Sequence, residues 1–150
     1  MTVTKELLLK NLKETIQLCD ECLKTFVQVF NWHSRHANHH LSFIPFYKDY
    51  GKWQAAIEQL PLFVSINDPI DNQIKANTEL CMQGMNLYQR ALNALSEEEV
   101  TNAFEKGPAD LFVKCGKFEG KIELVRKLEK ALNIALLPTS NNEVINNQKH

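Results

Sequence analysis

Apolar side chains recur at steps of three and four through the start of the chain: Leu9, Leu12, Ile16, Cys19, Leu23, Phe26 and Phe30, with His33 and Ala37 continuing the row. That spacing keeps one stripe of a helix turned toward a partner for about eight turns, and strand alternation fits nowhere in it. It predicts a helix from about Thr4 to about Asn38. The next stretch, FIPFYKDYGKWQAAIEQLP, places Phe46, Tyr50, Trp53, Ile57 and Leu60 at helical spacing between Pro45 and Pro61, with Gly51 inside. A short helix or a pair of them is expected here, rich in aromatics and ended by Pro61, where a further turn would lose a hydrogen bond.

Asp68-Pro69 is a helix-start signal, because Asp can cap free amides and Pro fits the first helical position without wasting a donor. A third stripe follows in Ile70, Ile74, Asn77, Cys81, Met85, Tyr88, Leu92 and Leu95. Ser96 and Glu99 then form a capping-box pattern for a further helix, SEEEVTNAFEK, and Gly107-Pro108 turns the chain. The last stripe, Leu111, Cys115, Phe118, Ile122, Val125 and Leu132, predicts a helix from about Ala109 to Leu137, stopped by Pro138. Within it Gly116 and Gly120 each cost about 1 kcal/mol relative to Ala, which suggests a notch where a neighbouring element comes close. Three long helices and a shorter aromatic-rich segment, joined by short links, predict an all-α, single-domain, mostly antiparallel bundle over residues 1–137. Residues 138–150 are expected to form a disordered polar tail.

Composition changes this picture little. A chain of 150 residues, 44% hydrophobic and 23% charged, is one ordinary globular domain with enough surface to bury a core. No apolar run reaches the roughly 20 residues that cross a bilayer, and the opening MTVTKELLLKNLKE alternates charge with leucine, so a cytoplasmic location is expected. A net charge of −1, with Lys and Arg spread thinly, disfavours nucleic acid as a partner. The four cysteines, Cys19, Cys22, Cys81 and Cys115, read as reduced thiols acting as small buried apolar groups.

Candidate chemistry centres on CDECLKTFVQVFNWHSRHANHH. Cys19, Cys22, His36 and His40 come within one residue of zinc-finger spacing. A finger needs a hairpin between its ligands, whereas one continuous helix would put Cys22 and His36 about 21 Å apart. The helical stripe spans more residues and is preferred. His33, His36 and His40 share a helix face, so adjacent imidazoles could hold a transition metal; a histidine cluster meeting the negative end of the helix dipole explains the same residues. There is no phosphate loop, no His-Glu-x-x-His and no nucleophile elbow, so no residue is assigned a catalytic role and no cofactor is expected. Phe46, Tyr50, Trp53 and Tyr88 are the candidate ligand or interface residues.

The run NDPIDNQIKANTELCMQGMNLYQRALNAL, residues 67–95, resembles the amphipathic helices of phasins and of the related leader segments of polyhydroxyalkanoate synthases. The shared feature is an Asn-Thr-Glu-Leu…Asn-Leu-Tyr-Gln register with Tyr88 set among Met85, Leu87 and Leu92. The resemblance implies a non-catalytic bundle whose apolar stripes coat a storage granule or mediate oligomerisation. Together with the absence of an assembled catalytic constellation, the expectation is a helical interaction or scaffold protein presenting helix surfaces to a protein partner or to itself. A bundle holding a small apolar ligand, or a transition metal at the histidine cluster, is the alternative.

Overall fold

The computed structural model describes residues 2–37, 43–95 and 110–138, with the backbone alone for 32–37. Four helices make up most of this: α1 (Lys5–Ala37), α2 (Ile44–Phe63), α3 (Ile70–Leu95) and α4 (Asp110–Ala131), with no strand among the described residues. The fold is an all-α helical bundle, as the stripes predict. The expected helix SEEEVTNAFEK with its Ser96–Glu99 capping box, the Gly107-Pro108 turn and the tail from Thr139 onward lie outside the described residues.

The helix ends show where local chemistry departs from the sequence reading. Thr4 caps α1, its Oγ1 accepting the Leu7 amide at 3.1 Å. Asp68 does not cap α3: its Oδ2 accepts the Ser65 amide at 2.8 Å, closing the turn before the helix. The Pro69 carbonyl then accepts the first helical bonds, from Asn72 and Gln73 at 3.0 and 3.3 Å. Helix α2 is one continuous segment across Gly51, and it runs two residues past Pro61 to Phe63. Proline there removes a single bond in the last turn, and the Val64 amide still reaches the Leu60 carbonyl at 3.0 Å. Helix α4 ends at Ala131, six residues before the predicted Leu137, because Asn133 takes a left-handed conformation (φ 57°). The Ile134 amide reaches back to the Glu129 carbonyl at 2.8 Å, the closing bond of a Schellman motif.

Cross-helix contacts set the directions. Lys5 pairs with Asp71 near the starts of α1 and α3, and Phe26 meets Tyr88 farther along both, so these two helices run parallel. Lys121 reaches Glu14 while Lys114 reaches Thr25, so α4 is antiparallel to α1. Trp53 meets Leu80 while Asp49 meets Arg90, so α2 is antiparallel to α3. Successive described helices therefore alternate in direction, but the most closely packed pair is the parallel one, α1 with α3. Helix α4 lies against α1, α2 lies mainly against α3, and the α3 and α4 backbones stay apart.

Small residues permit the α1–α3 approach. A Cβ on Gly84 would stand 2.7 Å from the Trp53 ring and 2.9 Å from Cys19 Sγ. This is the notch, and the sequence reading placed it wrongly: a Cβ on Gly116 or Gly120 meets nothing within 4 Å, because both glycines are exposed on α4. The core around this contact holds Leu8, Leu12, Cys22, Leu23, Phe26, Phe30, Leu111, Phe118 and Val125 at 1% exposure or less. Side chains of this size each contribute roughly 1.5–3 kcal/mol when fully buried.

Candidate functional site

The four aromatics singled out in the sequence are all buried, at 3–7% exposure. They do not surround one cavity. On α2, Phe46 stacks near Tyr50 at 6.2 Å between ring centroids, and Tyr50 near Trp53 at 6.3 Å. Tyr88, on α3, lies edge-on to Phe26 at 6.0 Å and to Phe118 at 4.8 Å. Phe30 joins the two groups, 5.7 Å from Phe46 and 6.0 Å from Phe26. The result is a continuous aromatic run from Trp53 through α1 to α4. Phe46, Trp53 and Tyr88 each border a different surface cleft, of about 340, 280 and 300 Å³.

The polar atoms of Tyr50 and Trp53 are satisfied. The Tyr50 hydroxyl donates to Asp20 Oδ1 at 2.7 Å, and the Gln54 amide reaches the same carboxylate at 3.1 Å. Burial first, and then this hydrogen bond to a carboxylate, push the Tyr50 phenol well above its ordinary value. Trp53 Nε1–H donates to the Leu80 carbonyl at 2.8 Å, fixing the indole beside Gly84.

Helix α1 is unbroken from Lys5 to Ala37, so Cys22 and His36 lie on one rod and cannot share a zinc ion. The side chains of His33 and His36, and all of His40, lie outside the described residues, and so does the histidine metal reading. Among the described residues no group of three or more His, Cys, Asp or Glu could hold a metal ion. No helix there is long and apolar enough to cross a membrane.

All four cysteines are free and buried. Their surroundings differ. Cys19 lies near Cys81 at the α1–α3 contact, where burial drives both thiols up, Cys81 to about 12. Cys22 and Cys115 face each other between α1 and α4, Sγ to Sγ 3.4 Å. The Cys22 thiol beside it holds the Cys115 thiol below its ordinary value, against the opposing effect of burial, with Tyr88 acting in the same direction. Cys115 stands on the stripe predicted for α4, whereas Cys22 lies beside the α1 stripe. Their pairing across 93 residues was not legible in the sequence.

The chain after α4 folds back onto the helix. Leu132, Leu136 and Leu137 pack on the core, Glu129 Oε1 accepts the Leu137 amide at 3.0 Å, and Arg126 Nε donates to the Pro138 carbonyl at 3.2 Å. Glu129 is only 5% exposed, and burial raises its pKa despite the amides and the Arg126 charge that oppose the shift. A carboxyl whose folded pKa is raised binds its proton more tightly in the native state. The stability it contributes is greatest below the ordinary value of 4.5 and is lost as pH rises through the folded value. Glu129→Gln keeps an acceptor for the Leu137 amide and removes the titration. Urea unfolding from pH 4 to 7 is expected to show the variant gaining on the wild type as pH rises, with the difference levelling off above the folded pKa.

One feature was missed in the sequence altogether. Leu62, Phe63 and Ile66, at the corner between α2 and α3, are 80%, 77% and 88% exposed. The run PLFVSI carried the signal, but the predicted stop at Pro61 removed it from view. The corner is well braced: Asp68 holds the Ser65 amide, Ser65 Oγ accepts the Asn67 amide at 3.1 Å, and Gln73 Nε2 donates to the carbonyls of Ile66 and Asp68 at 3.3 and 2.8 Å. No protein-family model matches the chain, and no curated protein or solved structure is significantly similar to it.

Proposed function

We propose that the chain is a non-enzymatic helical interaction module that engages a protein partner, itself or another, through the apolar corner of Leu62, Phe63 and Ile66. The observation that carries this reading is the exposure of three large apolar side chains on a hydrogen-bonded turn. Each forgoes roughly 1.5–3 kcal/mol of burial in the isolated chain, which a partner covering the corner would supply. Because the turn is braced by side-chain hydrogen bonds, little ordering entropy opposes docking. The phasin-like resemblance of residues 67–95 proposes a role of the same non-catalytic class. Within that segment Ile74, Leu80, Cys81, Leu87, Tyr88 and Ala91 are buried in the bundle.

The test compares the wild type with a Leu62→Ser, Phe63→Ser, Ile66→Ser variant by sedimentation velocity and by capture of partners from the native cell. The variant is expected to fold with an unchanged melting temperature and to lose the association the wild type shows. A wild type that is monomeric and captures nothing, or an association the variant retains in full, overturns the proposal.

A further inference from the structure

We propose that Cys22 and Cys115 form an oxidisable dithiol, closing to a disulfide that cross-links α1 to α4 when the protein meets a small neutral hydroperoxide. The geometry is the first argument. The two sulfurs are 3.4 Å apart, in contact already, and closing the bond brings them to about 2.05 Å. The Lys121 clamp on Glu14 and Asn11, at 2.6 and 2.9 Å, and the Lys114 contact with Thr25, at 3.0 Å, lie to either side along α1 and hold the helices in this register.

The second argument is chemical asymmetry within the pair. Cys22 is fully buried, and its contact with Cys115 together with burial pushes its thiol up. Cys115 retains 7% exposure, and the Cys22 thiol beside it holds its own thiol below the ordinary value. Cys115 is therefore the attacking sulfur and Cys22 the resolving one. Tyr88 and Glu119, the latter one helical turn beyond Cys115, border an open groove of about 300 Å³ between α3 and α4, which brings solvent to within a turn of the pair. Glu119 and Glu123 outnumber the cation Arg126 on the same groove, which disfavours an anionic oxidant such as oxidised glutathione.

The steps balance. The Cys115 thiolate attacks one oxygen of hydrogen peroxide, the O–O bond breaks, and the departing hydroxide takes a proton to leave as water, giving Cys115 sulfenic acid. Cys22 sulfur then attacks Cys115 Sγ. The S–O bond breaks, and hydroxide leaves with the Cys22 proton as a second water. Two thiols are oxidised by two electrons and one peroxide is reduced.

The experiment treats the folded full-length chain with hydrogen peroxide, counts remaining thiols after denaturation and maps cross-linked peptides by mass. The expected result is loss of two of the four thiols, a single Cys22–Cys115 peptide pair and full reversal by dithiothreitol. Cys22→Ser is expected to leave Cys115 trapped as a sulfenic acid that dimedone labels, and Cys115→Ser to abolish thiol loss. Retention of all four thiols, a cross-link through Cys19 or Cys81, or dimedone labelling absent in Cys22→Ser overturns the assignment. Should either variant fail to fold, the wild-type peptide map decides alone.

Discussion

Phe26→Ala is expected to lower the unfolding free energy by about 3–5 kcal/mol, the range for emptying a buried phenyl site that cannot collapse. Phe26 is fully buried on α1 and touches Phe30 and, edge-on, Tyr88, each at 6.0 Å between centroids. It therefore joins the α2 aromatics to Tyr88 and Phe118. Helices on both sides are fixed by other contacts, so the void stays open. Urea unfolding followed by far-ultraviolet circular dichroism measures the loss as a lower midpoint at unchanged slope. Phe63→Ala is the control: with its ring 77% exposed, the same deletion is expected to shift stability by no more than about 0.5 kcal/mol.

Gly84→Ala is expected to destabilise by about 1–3 kcal/mol even though alanine is the better helix former. The new methyl would fall 2.7 Å from the Trp53 ring and 2.9 Å from Cys19 Sγ. The ring cannot retreat without giving up its 2.8 Å bond to the Leu80 carbonyl, and the sulfur is 1% exposed. Gly116→Ala and Gly120→Ala have the opposite sign. Both are helical positions opening on empty space, and each is expected to add about 0.5–1 kcal/mol from backbone entropy alone. Thermal unfolding of the three variants side by side checks both signs in one series.

These glycines also show how far the sequence could be read. A glycine in a helix announces a cost, but only the neighbouring helix says whether packing is the reason, and that neighbour is remote in the chain. The stripes divide the same way. On α4, which packs on one side, Leu111, Cys115, Phe118, Ile122 and Val125 are buried as the periodicity predicts. On α1, Leu9, Leu12, Ile16, Cys19, Leu23, Phe26 and Phe30 are buried, and so are Leu8, Thr15, Cys22 and Val29. A helix pressed from two sides has a wider buried arc than a single stripe. Helix α3 is similar, adding Gln73, Leu80, Gly84, Leu87 and Ala91 to the residues on the predicted row. Of the candidate site, the burial of the aromatics was legible. Their division among separate clefts, the thiol pair and the exposed corner were not, since each depends on which helices become neighbours.

Among the described residues helix α1 borders every other helix, whereas α2 and α4 share no backbone contact. Remove that one rod and α4 is left with no backbone support, while α2 and α3 persist only as a lone hairpin, too thin to exclude water from its own leucines. Order among these helices is therefore expected to be lost together, since it is propagated outward from a single spar.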